Sequence, residues 1–381
     1  MIEPSPIRRI IDLAELRPDI VGLHAGEPDF PTPDRIIQAG SRALQEGYTH
    51  YTHGAGIQEL REAISSKLLE ENGIEADPKS EVTVTAGGFA AIFAIMQAII
   101  DPGEEVLILE PSWPSYAGFV KLAGGTPVPV HLHGPKFQPE SRDIENHITK
   151  KSKMMVVNSP NNPTGSVYSE SCLLEIASLA KENQMLVLTD EVYEKIVFDG
   201  RKHFSIASRT EFRDSTITVN SFSKTYAMTG WRLGYVVADE AITKDIRKIH
   251  GYMLSCPPAS AQKAALEALC GPQDCIHEMK EEYRRRRDQV VAGLNTINGF
   301  HCVPPMGTFY AFPDVSELKA PSATIADELL EEARVATIPG SAFGTNGEGY
   351  LRLSFAASQE SIREGLDRIK TWRAEHSRRS A

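Results

Sequence analysis

From about residue 81 the chain alternates short apolar runs with helical stretches, and this rhythm limits the folds open to it. Runs of strand length lie at 82–85, 105–109, 126–130, 154–158, 185–189, 216–220 and 233–237. Between them lie helical patterns, among them 90–100, 170–182 and 242–254. Apolar strands alternating with helices predict an α/β fold, a mostly parallel seven-stranded sheet covered by helices. Two long helical patterns follow at 260–269 and 274–295. After Gly299 short strands at 300–303, 308–312, 335–338 and 350–354 mix with helices at 325–333 and 358–378, the pattern of a smaller α+β unit. Ahead of the sheet, 36–46 and 57–71 read as helices, and the Pro-rich first thirty residues read as irregular. The expected domains are therefore a segment 1–30 packed on the small unit or a partner subunit, a large domain 31–285 and a small domain 286–381.

Composition removes several classes of function. Lys and Arg number 40 against 51 Asp and Glu, a net charge of −11 that argues against a nucleic-acid surface. No run of 18 apolar residues offers a membrane span. The opening nineteen residues scatter charges among apolar positions, unlike a signal peptide. Five cysteines without a CxxC pair read as free thiols in a reducing compartment, so a cytoplasmic location is expected.

Four segments at strand ends carry candidate chemistry. In SFSKTYAMTGWRLGY (221–235), Ser221, Ser223 and Arg232 suit a phosphate, and Lys224 among them suits a Schiff base; a solvated loop is the competing reading. In TDEVY (189–193), Asp190 ends a strand and suits a protonated ring nitrogen, with Tyr193 as a phenol donor; a helix cap is equally open. In NSPNNPTG (158–165), Asn162 offers an amide to a ligand oxygen, or simply belongs to a turn. In TAGGFAAIFA (85–94), Gly87 and Gly88 open a helix whose backbone N–H groups suit a phosphate, or merely allow a tight turn. Trp113 suits stacking on a flat ring, and Arg352 in an apolar strand suits a carboxylate. His131 and His133 share a strand face without further metal ligands and read as surface, and Arg284–Arg287 reads as a solvated face. A lysine, a ring-nitrogen carboxylate, a phosphate cradle, a stacking aromatic and an arginine form the inventory of a pyridoxal-phosphate site.

GEPDF, YTHGAGIQELREAI, PNNPTG, TDEVY, SFSKTYAMTGWRLGY and LRLSF occur in that order from about residue 26 to 356. In this the chain resembles the class I aminotransferases, the aspartate-aminotransferase-like group of fold type I pyridoxal-phosphate enzymes. The resemblance implies pyridoxal 5'-phosphate as cofactor, Lys224 as its Schiff-base partner and proton shuttle, and Asp190 at the pyridine nitrogen. It implies Tyr193 and Asn162 at the ring's phenolic oxygen and Trp113 stacked on the ring. Gly87, Gly88 and Phe89 match the phosphate turn, completed by Ser221, Ser223 and Arg232, with Tyr51 reaching the neighbouring subunit's site in a homodimer. Arg352 matches the clamp on the substrate α-carboxylate, beside a backbone contact from Gly26; Trp113 and Asn162 also face substrate. Many relatives have Ser, Thr or Lys where this chain has Phe89, so no acidic side chain is expected to be held there.

The implied reaction is a ping-pong transfer of an amino group between an L-amino acid and a 2-oxo acid. A carbon–sulfur β-lyase on the same scaffold is the first rival, separable by release of pyruvate and ammonia without an acceptor. A non-catalytic cofactor-sensing regulator is the second; only 25 residues precede Gly26, too few for a DNA-binding domain.

Overall fold

A computed structural model describes residues 6–379. Its strands are β1 (Val21–Gly22), β2 (Val82–Thr85), β3 (Glu105–Glu110), β4 (Thr126–His131), β5 (Ser152–Asn158), β6 (Leu186–Asp190), β7 (Thr216–Ser221), β8 (Gly234–Val237), β9 (Tyr310–Ala311), β10 (Val335–Ala336), β11 (Ile338–Pro339) and β12 (Leu351–Ser354). Seven of them form one sheet in the order β2-β8-β7-β6-β5-β3-β4, with β8 antiparallel to both neighbours and every other pairing parallel. The expected α/β architecture holds. The inner strands are buried at nearly every position, as a sheet covered on both faces requires.

Parallel pairing puts the last residues of β5, β6 and β7 (Asn158, Asp190 and Ser221) on one edge. β2 ends and β8 begins on that edge too, with Thr85 opposite Gly234 and Gly234 opposite Ser221. A Cβ at Gly234 would lie 2.8 Å from the Gly88 N, so glycine permits this close approach.

The C-terminal residues form the sheet β11-β12-β9 and pack into an apolar core that also takes in Tyr193, Ile196, Phe198 and Ala227, to which the helix Asp274–Leu294 contributes Met279, Tyr283, Val290 and Leu294. β1 pairs in parallel with β10, joining the N-terminal segment to this unit.

Several local readings are corrected. Residues 300–303 form no strand; His301 makes only an isolated bridge to Asp314. Residues 335–338 divide into β10 and β11, which join different sheets. The first thirty residues are not all irregular, since Pro6–Glu15 is a helix. It packs Ile10 into the core and is tied to the helix Ser322–Glu331 by Arg9–Asp327 and, just beyond its end, Arg17–Glu331, both at 2.8 Å. Arg286 and Arg287 are buried rather than solvated, paired with Asp29 and Glu282 and with Asp199 and Asp288. Among the described residues no helix is long and apolar enough to cross a membrane, and no cysteine is disulfide-bonded.

Candidate active site

The loops leaving the common strand edge surround a cavity of about 650 Å³. Twelve of the candidate residues line it: Gly26, Gly88, Phe89, Trp113, Asn162, Asp190, Tyr193, Ser221, Ser223, Lys224, Arg232 and Arg352. Gly87 stands behind the wall at φ +84, where a Cβ would come within 2.6 Å of the Arg232 guanidinium. Tyr51 is not brought in; it is 88% exposed and lies outside the cavity lining.

Asp190 is the last residue of β6 and is 4% exposed. Burial pushes its carboxyl up to about 6, opposed by the Tyr116 hydroxyl, which donates to Oδ2 at 2.6 Å. The Asn158 amide donates to the Asp190 carbonyl at 3.0 Å and accepts from the Asn162 N–H at 2.9 Å, linking two strand ends.

Lys224 sits in the one-turn helix Phe222–Thr225 that follows β7. Ser221 caps this turn by accepting from the Ser223 N–H at 3.1 Å, and places its own hydrogen on Ser223 Oγ or the Leu233 carbonyl. The Ser223 hydroxyl hydrogen is therefore the one left to offer. Lys224 Nζ donates to the Gly26 carbonyl at 2.5 Å. Burial pushes its ammonium down to about 8; Glu27 opposes this, while Arg352 and Arg232 reinforce it.

Arg232 holds a left-handed backbone (φ 53), rare for a residue with a side chain, and anchors its guanidinium on the Thr229 carbonyl at 2.8 Å. With Ser223 and the first N–H groups of the helix Gly87–Ile99, it makes one corner of the cavity an anion site. Arg352, on β12, donates to Asn162 Oδ1 at 3.1 Å and to the His24 carbonyl at 2.9 Å, and its buried Nε lacks a partner. Tyr310 lies under the guanidinium and shares a 2.9 Å hydrogen bond with Tyr193.

Sequence reading missed Tyr116, Tyr310, His24 and Glu27. Tyr116 was within view: it stands three residues after Trp113, one helical turn away. The ring of His24 is held neutral by burial and by Arg352, which push it down to about 4. The wall opposite the strand edge comes from the unexpected helix, through Ile7, Arg8 and Ile11. Phe89 is 50% exposed, set edge-on to Trp113 and Phe119.

A cavity at the strand ends that gathers an amine, a buried carboxylate and an anion corner defines an enzyme for small anionic ligands. Residues 18–369 match the family model for class I and II aminotransferases. The chain is 43% identical to an aspartate aminotransferase of Pyrococcus abyssi, over 97% of this chain and 96% of that one. It is 46% identical to a probable aspartate/prephenate aminotransferase of Aquifex aeolicus, with the same two coverages. The crystal structure of an aromatic aminotransferase from Pyrococcus horikoshii superposes with a TM-score of 0.92 at 42% identity, covering 97% of this chain and 99% of that one. The chain belongs to the class I and II aminotransferases. It is an enzyme, a transaminase that moves an amino group between an amino acid and a 2-oxo acid.

Proposed function

We propose that the cavity holds pyridoxal 5'-phosphate and that Lys224, Asp190 and Tyr193 carry the chemistry. The observation that carries this reading is one cavity in which a lysine amine and a buried carboxylate both face ligand. The donor set fits the group: Ser223, Arg232 and the helix N-terminus at Gly87–Phe89 suit the phosphate, Asp190 the ring nitrogen, and Asn162 and Tyr193 the phenolic oxygen. Trp113 suits the ring face. Bound there, the ring supplies an electron sink for negative charge developing at the substrate Cα. The protein does the rest. Arg352, with Gly26 beside it, orients the α-carboxylate, and its unpartnered Nε marks donor capacity not used within the chain. Lys224, pushed down to about 8, is neutral in a useful fraction near neutral pH and takes the Cα proton on Nζ. Tyr116 fixes the carboxylate of Asp190, and Tyr310 fixes the phenol of Tyr193.

The division into a large domain 31–285 and a small domain 286–381, with 1–30 packed on the latter, is part of this reading. So is a homodimer in the cytoplasm. Tyr51 (88% exposed), on a loop, and Tyr252 (95% exposed), in the last turn of the helix Glu240–Leu254, lie on segments joined by the Thr52 N–H on Cys256 Sγ at 3.4 Å, and suit a second copy of the chain.

Adding an amino acid to the cofactor-loaded enzyme should abolish its visible absorbance, and a 2-oxo acid should restore it. Ammonia and pyruvate released without an acceptor, with the absorbance retained, would favour a lyase instead. A second expectation concerns pH. Asp190 rises from 3.8 to about 6 on folding, so the unfolded chain gives up this proton first. The stability it contributes is present below pH ~4 and lost as pH climbs through 6, about 3 kcal/mol in the cofactor-free enzyme. A cation on Asp190 removes that loss, so the rise in Tm on adding pyridoxal phosphate should be larger at pH 7 than at pH 5. A pH-independent rise would sink the assignment of Asp190.

A further inference from the structure

The strand end that carries Asp190 bears a second set of charges on its other side. Glu191 extends the β6 ladder, its N–H on the Val219 carbonyl at 2.9 Å. Successive side chains of an extended strand point to opposite faces. Asp190 accordingly lines the cavity and Glu191 does not. Glu191 is 3% exposed. Its Oε2 accepts from Ser205 at 2.6 Å and lies 2.8 Å from His203 Nε2. Three residues on, Glu194 binds the Lys67 ammonium and accepts from the Asn72 amide at 2.7 Å. Asn72 also donates to Ser205 at 2.9 Å and accepts from Lys67 at 2.8 Å, which closes the network. It ends a π-helical turn, Leu68–Asn72, of the kind that often marks functional sites.

The charged or titratable groups around His203 are Glu191, Glu194 and Lys67; those around Asp190 are the Tyr116 phenol, Glu191 and Lys224. Burial alone would discharge His203, but Glu191 raises it on balance. Burial would raise Glu194, but Lys67 holds it down at about 2. Two carboxyl side chains thus face the Lys67 ammonium and a His203 ring that Glu191 favours in its protonated form. Ligand atoms of Glu191, Glu194 and His203 lie within 4.8 Å of one another, yet this balance leaves no need for a metal ion.

We propose that Glu191 and His203 are positioning residues of the transamination site, an ion pair behind the strand end that aims Asp190 into the cavity and sets the field in which it holds a cation. Balanced by His203, Glu191 adds little net charge to that field, and the Asp190 carboxylate that the pair holds in place dominates it. The proposal rests on the role given to Asp190 above.

The test is a pH titration of the visible absorbance of cofactor-loaded enzyme, for wild type, Glu191→Gln, His203→Asn and the double variant. Glu191→Gln removes negative charge and should move the midpoint down. His203→Asn leaves Glu191 unbalanced and should move it up, each by at least ~0.3 pH unit. The double variant should return to the wild-type midpoint. A merely structural pair would lower Tm in every variant without producing shifts of opposite sign. Unmoved midpoints, or shifts of one sign, overturn the proposal. Should His203→Asn not fold, the near-isosteric Glu191→Gln decides alone, and an unmoved midpoint there overturns it. A wild type that takes up no cofactor defeats the functional reading and this proposal with it, a failure visible before any variant is made.

Discussion

Lys224→Ala yields an enzyme that folds normally and turns over at least ~10⁴-fold more slowly, the upper range for loss of a positioned proton-transfer group alone. The fold is expected to survive because the side chain makes one hydrogen bond, to the Gly26 carbonyl, and beyond it only a long 5.8 Å approach to the Phe309 ring. The chemistry is not expected to survive, because Lys224 is the only lysine lining the cavity among the described residues. The two arginines of the cavity, Arg232 and Arg352, offer hydrogen-bond donors only and no acceptor for a proton. Steady-state assays with several amino acids read the loss, and a small alkylamine added to the variant should restore part of it. A rate within a hundredfold of wild type would remove Lys224 from the reaction.

Arg352→Leu should lower kcat/KM for amino acids by roughly 30- to 5,000-fold, the range for truncating one side of a buried charged contact. Much of that loss comes from a substrate carboxylate left without its bidentate partner. Some comes from the protein, because Asn162 Oδ1 and the His24 carbonyl each lose a donor. Uptake of pyridoxal phosphate should change little, since Arg352 lies apart from the anion corner. An amine lacking the α-carboxylate provides the control: its slow reaction should be the same in variant and wild type. If amino acid and amine lose equally, Arg352 supports the fold of the site rather than gripping substrate.

Most of the main sheet could be read from the chain because its strands are short runs rich in apolar and β-branched residues, such as VTVT, VLIL, MMVV and LVLT, set between helical patterns. β6 shows the limit of that reading. It runs one residue past the expected end, to Asp190, because Asp190 still pairs with Val219 of β7. The C-terminal strands were harder. Residues 335–338 form one β-rich run, but β10 pairs with β1 and β11 with β12, a division set by partners more than 300 residues upstream and more than ten residues downstream. The helix Pro6–Glu15 was obscured by prolines near it, although its apolar residues fall at helical spacing. In the site, motif residues were found and their supports were not. Tyr310 and His24 become partners of Tyr193 and Arg352 only through tertiary folding, and no spacing in the chain announces such contacts.

The helix Pro6–Glu15 stands apart from the strand edge that supplies the amine, the carboxylate and the anion corner. Its outward ties, Arg9–Asp327 and Arg17–Glu331, are surface ion pairs of the kind worth about 1 kcal/mol or less. Ile7 also packs against the core around Ile10, but Arg8 and Ile11 can be exchanged with little cost to folding and none to the reacting groups. Substrate preference in such a molecule can drift by changes on the cavity side of one peripheral panel, which leaves its lineage free to adopt new nitrogen donors while the engine behind the panel stays as it is.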